Sequence, residues 1–209
     1  MPSDPGATRR SMKLWDRSAS TYDVLQEPME RMLGFAAART EIFRRTAKKR
    51  VLEVGVGTGK NVRYYSDGPV VAIDLSARML ARAVRKARDR STATQFAVAD
   101  AEDLPFKDRS FDVVVATCVF CSVPNPVRGL SEVRRVLRTS GEIVLLEHMR
   151  PSGLLGRLFD LLDPIVSRLG GFHINRRTLH NIREAGLVVE EKHNLFSDWI
   201  KLVVARPLR

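Results

Sequence analysis

The sequence has few cysteines, no long apolar run and no internal repeat. Its only cysteines among 209 residues are Cys118 and Cys121, which excludes the disulfide framework of a small secreted protein. No apolar run approaches the roughly 18 residues that suggest a membrane-spanning helix. Residues 1–7 are polar and lack the apolar core of a signal peptide, so we expect a cytoplasmic protein. Without repeats, a chain of this length suits one compact domain.

Acidic residues are outnumbered by basic ones, 24 to 35, which gives a formal net charge of +11. A strongly basic surface favours anionic partners such as nucleic acid, an anionic membrane or an acidic substrate. A well-solvated, arginine-rich surface is the alternative, because charge alone says nothing about fold or chemistry. Nucleic acid is disfavoured, because the sequence has no Asp/Asn-Pro-Pro-aromatic motif, no Pro-Cys nucleophile and no appended RNA-binding module.

Short apolar segments alternate with amphipathic ones from residue 51 onward, and FDVVVAT at 111–117 is typical of a strand covered on both faces. The predicted strands are 51–54, 70–74, 95–99, 111–117, 142–147, 187–192 and 200–205. The predicted helices are 9–25, 28–47 with Pro28 in its first turn, 76–89, 126–138 ended by Ser140-Gly141, and 175–185. This alternation predicts a doubly wound α/β fold with a parallel sheet and helices on both faces.

Three regions make up the predicted domain organisation. Residues 1–8 form a disordered tail, and residues 9–48 form an N-terminal helical cap. Residues 49–209 form the α/β domain, which carries an apolar amphipathic insertion at 153–170. Pro164 is expected to break or kink this insertion.

Glycines and an acidic residue accompany the end of the first predicted strand. Ligands of such sheets bind beyond the carboxyl ends of the strands. Gly55, Gly57 and Gly59 permit a tight turn and a close approach of the backbone to a ligand. Glu53, just before them, can hold the cationic methionyl amino group of S-adenosylmethionine, whereas it would repel the pyrophosphate of a dinucleotide.

Acidic residues also end the next two strands. Asp74 can accept both hydroxyls of a ribose, a feature that dinucleotide enzymes share. Asp100 can accept a hydrogen bond from an adenine amino group. Each carboxylate alone can instead cap a turn or a helix, but Glu53, Asp74 and Asp100 together predict an S-adenosylmethionine site.

The chain resembles the class I S-adenosylmethionine-dependent methyltransferases, specifically the group that contains ubiquinone and menaquinone C-methyltransferases. The resemblance lies in 53–59 (EVGVGTG), 74–76 (DLS), 100–106 (DAEDLPF) and 132–138 (EVRRVLR). In addition, 15–23 (WDRSASTYD) resembles the N-terminal helix of that group and of bacterial phospholipid N-methyltransferases. These likenesses imply a Rossmann-like, mainly parallel seven-stranded sheet with an antiparallel edge strand.

The resemblance also implies S-adenosylmethionine as the cofactor and S-adenosylhomocysteine as its product. It places the N-terminal helix over the cofactor, with Tyr22 bordering the active site as a candidate catalytic residue. The cofactor-binding residues expected from the motifs are Tyr22, Glu53, Gly55, Val56, Gly57, Gly59, Asp74, Leu75, Met79, Asp100, Ala101, Thr117 and Cys118.

Other segments resemble a second branch, which contains membrane-associated methyltransferase-like proteins that methylate alkyl thiols. These segments are 118–126 (CVFCSVPNP), 146–148 (LEH) and 162–164 (LDP). The two resemblances imply different methyl acceptors.

Candidate acceptor-side residues follow the fourth and fifth strands. His148 can take a proton from an amine or a thiol, or it is a structural histidine that fixes a loop. Glu147 can bind an acceptor ammonium or hold a backbone turn, and Arg176 can hold a lipid phosphate or be solvated. Cys118 and Cys121 lack a second ligand pair for zinc, so we predict no metal site and interpret them as small apolar pocket residues.

The insertion at 153–170 carries a broad apolar stripe. Together with the basic N-terminal helix, it predicts peripheral association with an anionic membrane on its cytoplasmic face. The alternative is a stripe that packs on the sheet. We expect a monomer that acts on a lipid or a small hydrophobic substrate.

N-methylation of phosphatidylethanolamine is the preferred hypothesis for function. S-methylation of a small hydrophobic thiol and C-methylation of a quinone precursor are the alternatives. A non-catalytic protein that binds S-adenosylmethionine, with a regulatory or membrane role, is the alternative outside enzymes.

Overall fold

The computed structural model describes residues 4–88 and 93–208, which form seven α-helices and seven β-strands. The helices are α1 (Pro5–Ser18), α2 (Tyr22–Met32), α3 (Phe35–Arg44), α4 (Ala77–Ala87), α5 (Pro126–Val136), α6 (Gly153–Gly170) and α7 (Thr178–Glu184). The strands are β1 (Val51–Val54), β2 (Val70–Asp74), β3 (Thr94–Val98), β4 (Phe111–Thr117), β5 (Leu137–His148), β6 (Leu187–Phe196) and β7 (Ile200–Pro207). Residues 1–3 of the predicted tail and the predicted helix end at residue 89 lie outside the described residues.

These strands form one sheet in the order β3-β2-β1-β4-β5-β7-β6. β1 pairs in parallel with β2 on one side and with β4 on the other. β2 in turn pairs in parallel with β3, and β4 pairs in parallel with β5. β7 is antiparallel to both β5 and β6, so it lies one place in from the edge of the sheet. The topology confirms the predicted doubly wound α/β fold. It also brings the carboxyl ends of the five parallel strands to one edge, where the order reverses between β1 and β4.

Alternate residues of the central strands face two separate cores, as the period of two in a strand requires. Leu52 and Val54 of β1 pack in a cluster that includes residues of α5 and α7. Val51 and, from β4, Val113 pack in a second cluster with residues of α3. Apolar side chains on both faces explain why β1 and β4 contain nearly continuous apolar runs.

Two predictions for the N-terminal helices were wrong in their boundaries. α1 begins at Pro5 rather than residue 9, because the Asp4 side chain accepts a hydrogen bond from the backbone N–H of Gly6 at 2.8 Å and caps the helix. Pro28 lies inside α2 rather than in the first turn of a second helix. Gly34, with φ of +72°, separates α2 from α3, since a left-handed residue cannot continue a right-handed helix.

Several boundaries differ in the C-terminal half. β5 begins at Leu137 rather than residue 142, so Ser140-Gly141 lies within a strand instead of ending a helix. The helix predicted to reach residue 138 ends at Val136, because Leu137 already pairs with Phe111 in the sheet. The last helix starts at Thr178 instead of residue 175, and β6 continues to Phe196.

α6 turns its apolar side outward. Leu154, Leu158, Leu161, Ile165 and Leu169 follow the spacing that places residues on one helix face, and all are exposed. The buried positions of this helix are Gly156 and Asp163. The helix continues through Pro164, so the predicted break into two pieces was wrong. Within the described ranges, no helix is long and apolar enough to cross a membrane.

Candidate active site

Two adjoining cavities open at the carboxyl edge of the parallel strands. The strand-end cavity lies over β1, β2 and the residues after β3, and the cap cavity lies beneath α2 and α3. With the open solvent at their mouths included, the two cavities span about 710 and 1100 Å³. Both cavities are lined by Trp15, Tyr22, Gly55, Gly57, Thr117 and Cys118. These shared residues form the wall at which two bound molecules would meet.

The turn after β1 is shaped by glycines and by Asp74. Gly55 and Gly57 have φ of +68° and +56°, and a Cβ on Gly57 would meet no atom within 4 Å. The Gly57 N–H donates to Asp74 Oδ2 and the Ser76 N–H donates to Oδ1, both at 2.8 Å. Burial raises the pKa of Asp74 against the effect of these hydrogen bonds. The turn therefore leaves open space beside a fixed carboxylate.

Asp100 lies in the same cavity, beyond β3. Its Oδ1 accepts a hydrogen bond from the backbone N–H of Glu102 at 2.9 Å, and a carboxylate has further acceptor positions for a ligand. Ten of the thirteen predicted cofactor residues line the strand-end cavity: Tyr22, Gly55, Gly57, Asp74, Leu75, Met79, Asp100, Ala101, Thr117 and Cys118. Open space above Gly57, with two carboxylate acceptors, fits a ligand with a ribose diol and an adenine amine, as S-adenosylmethionine has.

Glu53 lies behind this wall rather than in it. Its side chain is 1% exposed, and it accepts hydrogen bonds from the Asn61 amide at 2.8 Å and from the Tyr65 hydroxyl. Burial raises the pKa of its carboxyl to about 7. Asn61, which lines the cap cavity, also donates to the Thr117 hydroxyl at 3.1 Å. Glu53 thus orients the cavity wall through Asn61.

The remaining predicted glycine has a packing role. Gly59 has φ of +81°, and a Cβ on it would lie 2.7 Å from the Cα of Ala83 in α4. Its lack of a side chain lets α4 approach the turn closely. Val56, the last of the thirteen, lines the cap cavity.

The turn after β4 is held by Glu147. Its Oε1 accepts the backbone N–H groups of Val119 and Phe120 at 2.7 and 2.9 Å. Burial raises the pKa of this carboxyl to about 7. The turn begins at Cys118, a non-glycine residue with φ of +54°, and buried hydrogen bonds of this kind hold such a conformation. Of the two interpretations of Glu147, the structure matches the turn-holding one.

Arg176 is directed at the same segment. Its guanidinium donates to the carbonyl oxygen of Val123 at 2.8 Å and to that of Cys121 at 3.5 Å. Burial lowers its pKa. The side chain is therefore committed to the backbone of the segment after β4, which lines both cavities.

His148 lies in the cap cavity among aromatic rings. Its ring centroid is 5.6 Å from that of Phe172 and 6.2 Å from that of Trp199. Its Nε2 is 3.2 Å from the carbonyl oxygen of His173, which can only accept, so Nε2 carries the proton and Nδ1 is the basic nitrogen. Burial lowers the pKa of His148, which keeps the ring neutral near pH 7. Asp163 of α6 fixes His173 by a 2.7 Å contact to Nδ1.

The helices α1 and α2 line both cavities, and polar contacts connect them to the α/β domain. The Ser76 hydroxyl donates to Asp16 of α1 at 2.5 Å. The Thr58 hydroxyl donates to Asp23 of α2 at 2.5 Å, and Lys86 donates to the same carboxylate at 2.8 Å. Tyr22 is thereby held where the cavities meet, and burial raises the pKa of its hydroxyl.

Sequence reasoning missed a charged cluster in the cap cavity, formed by Glu30, Arg39 and Lys60. Arg39 donates to both carboxylate oxygens of Glu30 at 2.8 and 3.0 Å. Lys60 lies 3.1 Å from Glu30. The local sequence gives one indication of this cluster, which is Lys60 directly after the glycine turn. Among the described residues, no group of three or more His, Cys, Asp or Glu side chains is arranged to hold a metal ion.

Comparisons with known proteins agree with this geometry. A family model described as a methyltransferase domain matches residues 52–145. The chain is 36% identical over 173 residues to phosphatidylethanolamine N-methyltransferase of Cereibacter sphaeroides, covering 78% of this chain and 79% of that protein. It is 33% identical over 158 residues to demethylmenaquinone methyltransferase of Thermotoga maritima, covering 70% and 66%.

A third relative acts on another kind of acceptor. The chain is 35% identical over 143 residues to the thiol S-methyltransferase TMT1B of Rattus norvegicus, covering 65% of this chain and 58% of that protein. Among solved structures, an S-adenosylmethionine-dependent methyltransferase from Mesorhizobium loti has a TM-score of 0.63 at 20% identity. That match covers 81% of this chain and 96% of the other, and it supports the fold.

Proposed function

The chain belongs to the S-adenosylmethionine-dependent methyltransferases, and from this premise we propose that it methylates the head-group amine of phosphatidylethanolamine at a membrane surface. The observation that carries the proposal is the outward apolar face of α6 beside the cap cavity. Phe159 of α6 packs edge-on against Trp199 at 5.8 Å, and Trp199 lines that cavity. An acceptor that enters from a lipid surface along α6 would therefore reach the wall shared by the two cavities.

The strand-end cavity supplies the residues that hold the cofactor. Asp74 and Asp100 provide acceptors for a ribose and an adenine, and the open turn at Gly57 allows close approach of the backbone. S-adenosylmethionine, when bound, supplies a methyl group activated by the positive charge of its sulfonium. The chain's own task is then to align and desolvate the nucleophile.

The shared wall performs that alignment. Tyr22, Thr117 and Cys118 border both cavities, so they set the distance and the direction of approach between the two bound molecules. Tyr22 stays protonated because burial raises its pKa. It can therefore donate a hydrogen bond but does not serve as a base near pH 7.

His148 is the candidate base for the acceptor. An amine must be neutral to act as a nucleophile, and a buried neutral imidazole in the same cavity can accept its proton. The fixed proton on Nε2 leaves Nδ1 for this role.

The membrane-facing surface combines apolar and basic side chains. α2 exposes Val24, Leu25 and Met32 near the cap cavity, and α6 exposes its leucine stripe. On α1, Leu14 lies against Gly171 at the end of α6. The exposed cations of α1 and α6 are Arg9, Arg10, Lys13, Arg17, Arg157 and Arg168. Such a surface suits peripheral binding to an anionic leaflet on the cytoplasmic face of a membrane.

A small hydrophobic thiol is the second candidate acceptor. The aromatic and apolar lining around His148 and the 35% identity to a thiol S-methyltransferase favour it. C-methylation of a quinone precursor is a third candidate, favoured by the 33% identity to a demethylmenaquinone methyltransferase. In both, His148 again takes the proton that the acceptor loses.

The test is transfer of labelled methyl from S-adenosylmethionine to liposomes that contain phosphatidylethanolamine, with an alkyl thiol and a demethylated quinol assayed in parallel. Label in mono- or dimethylated lipid is the expected result. The control is the Asp74→Ala, Asp100→Ala double variant, which should transfer no label. Label in the thiol or the quinol alone would refute the phospholipid proposal.

A further inference from the structure

The charged cluster of the cap cavity contains one cation more than its internal pairing requires. Glu30 and Arg39 form a bidentate ion pair, and the Arg39 Nε donates to the Asn61 side chain at 2.7 Å. The charges of Glu30 and Arg39 cancel. Lys60 shares the Glu30 carboxylate with Arg39, so two cations face one anion and these three side chains carry a net charge of about +1.

Lys60 is nearly buried and has unused donors. Its side chain is 12% exposed, and its Nζ lies 3.1 Å from the Glu30 oxygen that already accepts from Arg39. Within the part of the chain that the structure describes, Nζ makes no hydrogen bond of good geometry. An ammonium has three N–H donors, and buried donors ordinarily have acceptors. Lys60 therefore has N–H donors beyond its ion pair with Glu30, in a cavity that admits a second molecule.

We infer that Lys60 binds an anionic group of the methyl acceptor, so that the cap cavity selects acceptors bearing a phosphate close to the nucleophile. The inference deepens the proposed function and rests on it, because it assumes that the acceptor enters this cavity. A neutral thiol or a quinol would leave the ammonium desolvated with only its share of the Glu30 carboxylate, which costs free energy.

The position of Lys60 relative to the shared wall supports this assignment. Its Nζ lies 5.4 Å from the centroid of the Tyr22 ring, and Tyr22 borders both cavities. In a phosphoethanolamine group only two carbon atoms separate the phosphate ester oxygen from the nitrogen. A phosphate on Lys60 would therefore keep the amine beside Tyr22, at the wall where methyl transfer takes place.

The test measures binding rather than catalysis. Short-chain phosphatidic acid carries the phosphate without the amine, and short-chain diacylglycerol carries neither. Titration calorimetry below the critical micelle concentration compares wild type with Lys60→Gln, Lys60→Arg and Lys192→Gln. Lys192 is an exposed lysine of β6, so its variant controls for the loss of one positive charge.

We expect Lys60→Gln to weaken the binding of phosphatidic acid about tenfold, the effect of losing one charge-assisted hydrogen bond. Lys60→Arg should restore most of it, and Lys192→Gln should change it less than twofold. Diacylglycerol should bind all four proteins alike. Unchanged phosphatidic acid binding in Lys60→Gln, or an equal loss for both lipids, would overturn the inference.

The unmodified protein provides a second measurement that needs no variant to fold. Wild type should bind phosphatidic acid at least tenfold more tightly than diacylglycerol, and equal affinities would refute the inference. These binding measurements are separate from the methyl-transfer assay of the proposed function. If phosphatidic acid binds through Lys60 but phosphatidylethanolamine is not methylated, only the proposed function is refuted.

Discussion

Replacing Leu154, Leu161 and Leu169 together with serine should release the protein from anionic liposomes without unfolding it. These side chains are 81%, 74% and 79% exposed, so they contribute little to the packed core. Full burial of a leucine side chain contributes about 1.5–3 kcal/mol. Transfer of the exposed three-quarters into lipid would contribute about 1–2 kcal/mol for each side chain, or about 3–6 kcal/mol together.

That free energy corresponds to a partition coefficient at least about a hundredfold lower in the triple variant, since each 1.4 kcal/mol is a factor of ten. The assay is sedimentation with liposomes of phosphatidylethanolamine and an anionic phospholipid. The matched control replaces Val98, Val188 and Leu208, which are exposed apolar residues outside α6, with serine. Both variants should keep the thermal midpoint of wild type within a few degrees. Wild-type sedimentation of the α6 variant would refute the assignment of α6 to the membrane.

Three further outcomes test the site and its supports. Asp100→Ala should weaken S-adenosylmethionine binding about tenfold by titration calorimetry. Asp103→Ala, which removes an exposed neighbouring carboxylate, should change the affinity less than threefold, and equal effects of the two variants would contradict the site. Glu147 binds its proton more tightly when folded, with a pKa of about 7, so its contribution to stability is present below pH 4.5 and lost as the pH rises through 7. In urea titrations, the unfolding free energy of Glu147→Gln relative to that of wild type should therefore rise by about 2–3 kcal/mol from pH 5 to pH 8. A difference that stays constant over this pH range would contradict the prediction. Gly59→Ala should lower the unfolding free energy by about 1–3 kcal/mol, because its Cβ meets Ala83 and φ is +81°; an unchanged urea midpoint would exclude that contact.

The strand-end residues were predictable because each has a local signal in the sequence. Gly57, Asp74 and Asp100 follow short apolar strands, and strand ends of a parallel sheet converge at one edge. The family resemblance then supplied Tyr22, whose place beside the cavity depends on how α1 and α2 fold back over the sheet.

The polar interior was not predictable by the same means. Position after a strand suggested a ligand contact for Glu147, and a guanidinium at the start of a predicted helix suggested one for Arg176. Both side chains instead contact the backbone of residues 119–123. Those partners depend on the course of a loop, which no periodicity encodes. The cluster of Glu30, Arg39 and Lys60 joins α2, α3 and the glycine turn, so it forms only when the cap docks on the sheet.

The helix boundaries show a related limit. Proline is favoured in the first turn of a helix and is unfavourable in its interior, so Pro28 indicated a helix start although it lies inside α2. The extended conformation of Leu137 depends on pairing with Phe111, 26 positions earlier in the chain. Local propensity could not identify that partner.

The placement of the two tryptophans has an experimental consequence. Trp15 lines both cavities, whereas Trp199 lines the cap cavity and packs on α6. The tryptophan emission of the protein therefore arises from two rings that line the cavities. In Trp199→Phe the remaining tryptophan emission reports from the wall shared by the two cavities, and in Trp15→Phe it reports from the cap cavity beside α6. Stopped-flow fluorescence of the two variants would thus distinguish binding events at the shared wall from those confined to the cap cavity, without any attached label.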